Sequence, residues 1–381
     1  MNGAGRTAIV GERRRREPSL ESHRSDGRRS LRKRTRIALF NLFKSAGIFD
    51  AWRHLHRKNV VILMLHGTAD PERPSTWTPL RPQISPEYLD WCMEEIGKYY
   101  RFISLEEAVH ILTGRRPSTE YGVSITMDDG YRSNIADALP VMKKHKAPAT
   151  IFLPAANIEN RMPMWFDRMD YVLQLSDLEG NSFHIGDSVF RFSGDGEGGL
   201  AASYSMFREL IKKQYAREET FHSKMEEVIA FFERRSGRKL RDISEEDPWS
   251  ALLNWEEIVR HQGEYVQFGS HTMDHYRVGK LKEAALRYQL FDSKEMIEKR
   301  TGNRCRYIAY PNGDCSASAR SIALEAGYEA GVTTDEGINK IGCDRMTLKR
   351  VSLPWTSDKA ELLAHVSGLS HALSYRRWVR S

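Results

Sequence analysis

The sequence contains neither a long hydrophobic run nor a disulfide framework. It has no stretch of about 18 consecutive apolar residues, which excludes a membrane-spanning helix. The N-terminus lacks the apolar core of a secretion signal, so we expect a cytoplasmic protein. The 381 residues include four cysteines, none of them in a CxxC pair: Cys92, Cys305, Cys315 and Cys343. Because so few cysteines cannot form a scaffold in so long a chain, we expect them to be reduced thiols.

The chain also lacks a charge excess outside its N-terminal segment. Its net charge is +7, but residues 1–36 contain twelve Arg and Lys residues and four acidic residues, a net charge of +8. The remaining 345 residues therefore carry a net charge of about −1. Because nucleic-acid binding depends on a basic face, the alternative of an Arg-rich tail on a nucleic-acid-binding protein is disfavoured, and we expect no nucleic-acid partner.

The N-terminal segment divides into a basic tail and an amphipathic helix. Residues 1–35 contain few large apolar residues, which predicts a disordered basic tail. Residues 36–58 predict an amphipathic helix whose apolar stripe contains Ile37, Phe40, Phe43, Ile48, Trp52 and Leu55. This helix either packs on the domain or lies on an anionic membrane surface. The second alternative gives residues 1–57 a membrane partner and makes the protein peripheral on the inner membrane face.

Residues 59–381 alternate between short apolar runs and helical patterns. The apolar runs, typical of strands buried on both faces, are VVILMLH, YGVSITM, APATIFL, YVQFG, RYIAY and AGVTT. This alternation indicates parallel βα units, closed as a barrel or open as a doubly wound sheet. In both architectures, chemistry takes place at the C-terminal ends of the strands.

Residues 157–249 interrupt this alternation with a predicted hairpin and two polar helices. We interpret them as an insertion grafted on the βα scaffold. It is either a lid over the site or peripheral decoration.

Two adjacent carboxylates follow the strand YGVSITM. Asp128 and Asp129 repel each other there, and a divalent cation or a shared proton would relieve that cost. Taken alone, the Asp-Asp-Gly sequence is also consistent with a plain turn.

Two histidines follow the strand YVQFG. His271 and His275 are spaced so that both can point the same way on one helical turn, and imidazole binds Zn, Fe, Co or Ni. Taken alone, this spacing can also arise by chance. At the same end of one scaffold, Asp129, His271 and His275 could hold a metal with open positions, leaving Asp128 as the base. This arrangement indicates hydrolysis.

Two further strand ends offer candidate groups. Tyr310, Pro311 and Asn312 begin a turn whose backbone N–H groups could face a developing oxyanion, or which merely ends the strand. His66, at the end of the first strand, could protonate a leaving amine, or it could be a buried histidine with satisfied hydrogen bonds.

Together and in this order, the motifs resemble those of the polysaccharide deacetylases of carbohydrate esterase family 4, the NodB-homology domain. The segment VVILMLHG is similar to a first strand that ends in Tyr-His, and SITMDDGYRSN resembles the Thr-Phe-Asp-Asp-Gly-Tyr signature. FGSHTMDH resembles Gly-Ser-His-Thr-x-x-His, and IAYPNGD resembles Ala-Tyr-Pro-Tyr-Gly. The resemblance covers roughly residues 59–353, apart from the insertion.

The resemblance implies a fold and an activity. The fold is a distorted (β/α)7 barrel, and the activity is metal-dependent removal of N-acetyl groups from an amino-sugar-containing glycan or glycan precursor. Asp128 would be the base, and Asp129, His271 and His275 would hold the metal, expected to be zinc, with Co, Ni or Fe as alternatives. The other candidate functions are a deformylase or other amide hydrolase on the same scaffold, and a catalytically silent glycan-binding barrel.

The sequence departs from the family pattern at three points. Ala309 stands where family members carry an Arg that orients the base, and Asn312 replaces an aromatic residue. No late Leu-x-His motif follows, since His365 and His371 fall in a terminal helical pattern. In a branch of the family that acts on exported poly-N-acetylglucosamine, a first-strand His is the acid, and His66 matches it. For a protein in the cytoplasm, a sugar nucleotide or lipid-linked glycan is the expected substrate.

Overall fold

A closed barrel of parallel strands forms the centre of the computed structural model, which describes residues 23–70, 72–81, 83–118, 120–195, 198–215 and 217–378. The strands are β1 (Val61–Leu65), β2 (Arg101–Phe102), β3 (Gly122–Met127), β4 (Ala149–Leu153), β5 (Phe183–Ile185), β6 (Ser188–Phe190), β7 (Val266–Ser270), β8 (Tyr307–Ala309), β9 (Ala330–Glu336) and β10 (Leu348–Ser352). Seven of them close the barrel in the order β1-β3-β4-β7-β8-β9-β10, and β2 pairs with the start of β3. The predicted (β/α)7 barrel is confirmed.

The register of the barrel brings the motif-bearing loops to one end. Leu65 pairs with Met127, so His66 and Asp128 both leave the barrel at the C-terminal end of their strands. Ser270 pairs with Ile308, which places His271 beside Ala309. Because every pairing in the barrel is parallel, all of these loops emerge on the same face.

Helices surround the barrel and connect its strands. They are α1 (His23–Ser45), α2 (Ile48–Leu55), α3 (Pro86–Gly97), α4 (Leu105–Leu112), α5 (Leu139–Lys144), α6 (Ala155–Glu159), α7 (Trp165–Leu175), α8 (Gly199–Gln214), α9 (Glu218–Ser236), α10 (Trp255–His261), α11 (Glu283–Arg287), α12 (Ser293–Thr301), α13 (Ala317–Glu325), α14 (Lys359–Val366) and α15 (Leu369–Trp378). Short π-helical turns cover Asn134–Ala138 and Tyr288–Asp292, and 3₁₀ turns cover Leu240–Asp242, Val278–Lys280 and Pro311–Gly313.

The apolar faces of strands and helices explain this arrangement. The main core cluster combines β1 and β3 residues such as Leu63 and Ile125 with α3 residues such as Leu89 and Met93, all of them fully buried. Local signals start the helices. Ser85 caps α3 before Pro86, and Asn254 forms a capping box with Glu257 at α10.

The N-terminal helices differ from the single predicted helix over 36–58. Helix α1 begins at His23, inside the segment predicted as tail, while residues 1–22 lie outside the described residues. The helix ends at Ser45, before Gly47, whose φ of 70° is left-handed, and α2 begins at Ile48. Phe40 is buried against Ala360 and Ala364, so α1 packs on the domain. In the described part of the chain, no helix has the length and hydropathy that a membrane span needs.

Residues 157–249, predicted to hold a hairpin and two helices, contain the hairpin and three helices, α7, α8 and α9. Strands β5 and β6 pair antiparallel, and α8 and α9 follow. The segment has its own core, which includes Phe207, Phe232 and Met225. Glu218 of α9 pairs with Arg277 at 2.6 Å, and both side chains are buried. The insertion therefore contacts the loop that carries His275.

Candidate metal centre

Three candidate ligands from two distant stretches of sequence lie together at the C-terminal end of the barrel. Asp129 follows β3, and His271 and His275 follow β7. The Nε2 atoms of both histidines lie 3.5 Å from Oδ1 of Asp129. One ligand atom from each residue lies within 4.8 Å of the others, and all three residues are buried. The structure thus brings together the acidic motif and the paired imidazoles.

The hydrogen bonds of this cluster fit a divalent cation. Oδ1 of Asp129 is buried and accepts no hydrogen bond from the described residues. Nδ1 of His271 lies 2.7 Å from the carbonyl oxygen of Ala309. Because a carbonyl only accepts, Nδ1 carries a proton, and Nε2, which faces Asp129, is the nitrogen left to bind a metal. One carboxylate and two imidazoles are a ligand set typical of zinc and related metals, with positions left open for other ligands.

The pKa values of Asp129 and His275 are also shifted in the directions that favour metal binding. Burial alone would raise the pKa of Asp129, but His271, His66 and His275 hold it well below its ordinary value. Burial, together with the charge of His271, lowers the pKa of His275 to about 3. Ionised Asp129 and neutral His275 are the forms that bind metals. Burial would lower the pKa of His271, yet Asp128 and Asp129 raise it, because their negative charge attracts a positive one.

Asp128 is held beside this cluster by Arg350 of β10. Arg350 Nη1 donates to Oδ1 and Nη2 donates to Oδ2, each at 2.7 Å, and both side chains are buried. Arg350 Nε donates to the carbonyl oxygen of Thr333 at 2.7 Å, which fixes the guanidinium. Burial alone would raise the pKa of Asp128, but the charge of Arg350 holds it below its ordinary value. Asp128 is therefore ionised and fixed in orientation.

The sequence shows that Ala309 occupies the position where the family pattern has an Arg, but it does not show that Arg350 takes over the contact with Asp128. Arg350 lies 41 residues further along the chain and on another strand. The one available signal is a cation inside the short strand LKRVS, between the buried residues Leu348 and Val351. A charge at such a buried position requires a partner.

His66 stands at the open side of the site, directly after β1. Its side chain is exposed. The backbone N–H of Asp128 donates to the carbonyl oxygen of Leu65 at 2.9 Å, which keeps the two loops together. The charge of His66 also contributes to the lowered pKa values of Asp128 and Asp129. An exposed His66 is not the buried, hydrogen-bonded histidine of the alternative interpretation.

The turn after β8 offers fewer backbone N–H donors for an oxyanion than its sequence suggests. The side chain of Tyr310 is fully buried, and its N–H donates to the carbonyl oxygen of Val332 at 3.1 Å. Pro311 has no N–H. Of the three residues predicted to contact an oxyanion, Asn312 is therefore the one whose backbone N–H is a candidate donor.

Left-handed backbone conformations are concentrated at the site. Asp129 (φ 72°), Thr272 (φ 68°), His275 (φ 57°) and Asn312 (φ 54°) all have positive φ. For residues other than glycine, such conformations cost of the order of 1–3 kcal/mol each and persist where the surrounding structure imposes them. The loops are thus held in the conformation that brings their side chains together.

A second layer of residues, which sequence reasoning missed, connects the insertion to the site. The ring of Phe166 in α7 lies 5.7 Å from the ring of His275, in an edge-to-face contact. Arg81 lies over the ring of Phe166, with its guanidinium carbon 4.6 Å from the ring centroid. Arg81 donates to Asp167 at 2.6 Å and to the hydroxyl of Tyr131 at 2.8 Å. Tyr131 follows the Asp-Asp-Gly motif, so this network begins beside the candidate ligand Asp129.

Comparison with known proteins agrees with the fold and the motifs. The family model described as "Polysaccharide deacetylase" matches residues 115–185 and 213–331. The protein YxkH of Bacillus subtilis (strain 168), which is named for this family, is 21% identical over 238 residues. The match covers 62% of the chain and 53% of YxkH, so the chain spans about half the length of this curated relative.

Solved structures are similar over most of the chain. The Streptococcus pyogenes deacetylase PplD in complex with acetate has a TM-score of 0.52 at 18% identity, covering 81% of this chain and 98% of PplD. IcaB from Ammonifex degensii has a TM-score of 0.49 at 19% identity, covering 81% and 97%. The similarity to PplD supports the same barrel fold.

Proposed function

Because the chain belongs to the polysaccharide deacetylase family, we propose that it is a metal-dependent hydrolase that removes N-acetyl groups from an amino-sugar-containing glycan or glycan precursor. One observation carries this proposal. Asp128, ionised and fixed by Arg350, lies directly beside a three-residue ligand set. A protein that only binds glycans has no need of such a base.

Asp129, His271 and His275 would hold the cation, which we expect to be zinc, with Co, Ni or Fe as alternatives. When bound, it would supply Lewis acidity, lowering the pKa of water and stabilising negative charge on oxygen. Asp129 and His275 are in the required protonation states, and the hydrogen bond from His271 to Ala309 orients that ring.

Asp128 would act as the general base and His66 as the general acid. Asp128 is ionised and buried, so it can accept a proton from the attacking water while Arg350 keeps it in position. His66 is exposed at the same end of the barrel, where its imidazole can donate a proton to the leaving amine. The N–H of Asn312 would donate to the oxyanion.

Acetate release tests this function. The purified protein, loaded with zinc, would be incubated with N-acetylated sugars that are free, nucleotide-linked or lipid-linked, and acetate and formate would be measured. The proposal expects acetate from at least one of them and none from the Asp128→Asn variant. Formate without acetate would identify a deformylase. Binding without either product would identify a silent glycan-binding barrel.

We also propose that helices α1 and α2 bring the protein to the anionic inner face of a membrane, where a lipid-linked glycan would be accessible. Phe40 packs on the domain, whereas Leu39 and Leu42 are 41% and 61% exposed on the same helix. Residues 1–36 add a net charge of +8. Exposed apolar side chains beside basic residues favour an anionic lipid surface.

A further inference from the structure

The two histidines of the metal centre are oriented in different ways. Nδ1 of His271 donates to the carbonyl oxygen of Ala309 in β8. Nδ1 of His275 is buried and forms no hydrogen bond with any residue that the structure describes. Because metal-binding histidines are ordinarily oriented by a hydrogen bond at the second ring nitrogen, His275 needs another source of orientation.

The backbone of His275 also has to be held. Its φ of 57° is left-handed, a conformation that a residue other than glycine keeps only where neighbouring contacts impose it. On the N-terminal side, Oε1 of Gln289 accepts the backbone N–H groups of Met273 at 3.1 Å and Asp274 at 3.0 Å. Gln289 lies in the π-helical turn before α12, outside the insertion. The contacts on the C-terminal side come from residues 157–249.

Side chains of the insertion contact the ring of His275 and the residue after it. The ring of Phe166 in α7 lies edge to face against the imidazole of His275, with 5.7 Å between the ring centroids. One residue further on, Tyr276 is stacked on His222 of α9, with ring centroids 4.1 Å apart. The edge of a bulky aromatic ring restricts rotation of the His275 imidazole, which is the part that a hydrogen bond at Nδ1 would otherwise play.

Glu218 of α9 fixes the next residue, Arg277, through both its backbone and its side chain. Oε1 of Glu218 accepts the backbone N–H of Arg277 at 2.9 Å, and Oε2 accepts the Nε–H at 2.6 Å. Burial alone would raise the pKa of Glu218, but the hydrogen bonds from His222 and Arg277 hold it below its ordinary value. Because hydrogen bonds to an ionised carboxylate are short and strong, the backbone directly after His275 is held in place.

We propose that Phe166, Glu218 and His222, which we call the insertion interface, are positioning residues that hold His275 in the orientation in which its imidazole can bind the cation. This inference rests on the metal centre of the proposed function. The metal affinity of the barrel then depends on residues 157–249, which are part of the metal site's support rather than peripheral decoration.

A double variant that removes the ion pair of the insertion interface tests the proposal. Glu218→Met/Arg277→Met leaves no unpaired buried charge, so its urea midpoint should stay close to that of wild type. The backbone N–H at position 277 nevertheless loses its acceptor. We expect zinc affinity, measured by competition with a chelator, to be about 10- to 100-fold weaker. The control Glu219→Gln changes the neighbouring, exposed carboxylate of α9 and should bind zinc as wild type does. Unchanged zinc affinity in the double variant would overturn the proposal.

A second variant acts on the ring of His275. Phe166→Leu keeps apolar volume beside the imidazole but removes the aromatic edge, so the imidazole can rotate. The visible absorption of the cobalt-loaded chain reports the geometry of the ligands. We expect a changed absorption spectrum and a zinc affinity weaker by about tenfold. Phe231→Leu is the matched control, because its ring packs on Phe183 in the insertion's own core, and it should leave both measurements unchanged. A wild-type spectrum and affinity in Phe166→Leu would overturn the role of this ring.

Hydrogen exchange of the metal-free chain separates the failure of this inference from failure of the proposed function. Peptides that cover residues 271–277 would be followed by mass spectrometry in wild type and in Glu218→Met/Arg277→Met. We expect faster exchange in these peptides and unchanged exchange in the barrel strands, because the loop then opens locally. That result, in a protein that binds zinc without releasing acetate, would support the positioning role and reject only the proposed activity. Equal exchange in the two proteins would overturn the inference whatever the activity, and a wild type that binds no zinc would overturn both.

Discussion

Arg350 of β10 donates two hydrogen bonds of 2.7 Å each to the two carboxylate oxygens of Asp128, which follows β3, and β1 lies between these two strands. The position two residues before Pro311, where the resemblance leads one to expect such an Arg, carries Ala309. The positive charge therefore reaches Asp128, the proposed base, from β10 rather than from the turn after β8. Because a guanidinium binds a carboxylate in a fixed plane, this pair sets both the charge and the orientation of Asp128.

We predict that Arg350→Met lowers both turnover and stability. Without the guanidinium, Asp128 can move, and a displacement of about 1 Å costs about 10²-fold in kcat. Its buried charge is also left unpaired, which should lower the free energy of unfolding by about 3–5 kcal/mol. Acetate release and urea denaturation would measure the two effects.

The double variant Arg350→Met/Asp128→Asn serves as the control for this assignment. Because an Asn side chain carries no charge, the free energy of unfolding of the double variant should recover towards that of wild type, while activity stays absent. A double variant that is as unstable as the sum of both single variants would show that the pair is not coupled.

His66→Ala should slow acetate release by about 10²- to 10⁴-fold, since the leaving amine then lacks its proton donor. The side chain is exposed, so the fold should be unaffected, which circular dichroism would check. Metal content should also stay at the wild-type value. An unchanged rate would remove His66 from the catalytic residues.

The parallel βα units could be predicted from the sequence because each strand is a short apolar run ending in a polar motif. The hairpin within residues 157–249 also follows from local patterns, whereas the closed (β/α)7 barrel is implied by the resemblance to the family. The meeting of Asp129 with His271 and His275 could be inferred because parallel strands end at one face. The pairing of Arg350 with Asp128 could not, because it depends on which side chains meet across the barrel interior.

The contacts of the insertion also lay beyond sequence reasoning. The local pattern of residues 157–249 predicts helices, but not that Phe166 would reach His275 or that Arg81 would lie over Phe166. The break at Gly47 was missed for a different reason. A helical stripe continues across a single left-handed glycine, so the periodicity of residues 36–58 does not show it.

Stability should depend on pH through Asp170. Burial raises its pKa to about 7 from an ordinary value of 3.8, despite the nearby charge of Arg81. Between these values, the folded protein binds more protons than the unfolded chain, so this residue makes the free energy of unfolding fall as the pH rises from about 4 to about 7. Asp170→Asn removes this dependence. Its stability relative to wild type should increase over that range, by up to about 4 kcal/mol.

Urea denaturation at a series of pH values would measure the effect of Asp170. The matched control is Asp177→Asn, because Asp177 is an exposed carboxylate in the same insertion whose pKa lies below its ordinary value. A constant difference in stability between Asp170→Asn and wild type from pH 4 to 7 would contradict the prediction.

Membrane association should depend on the exposed side of α1. Replacing Leu39 and Leu42 together by Glu should lower sedimentation with phosphatidylserine vesicles by about tenfold, since apolar area is lost and two negative charges are added. Leu324→Glu, at a site 43% exposed on α13, is the matched control. Sedimentation that is unchanged in the double variant would exclude this surface as the membrane contact.

The central claim is that Asp129, His271 and His275 hold the cation on which hydrolysis depends. The most direct measurement is zinc content per chain together with acetate release, for wild type before and after chelation and for Asp128→Asn and His271→Ala. We predict that chelation abolishes release and zinc restores it, that Asp128→Asn keeps the zinc without turnover, and that His271→Ala loses both. Undiminished release after complete chelation, or full zinc content and activity in His271→Ala, would contradict the account.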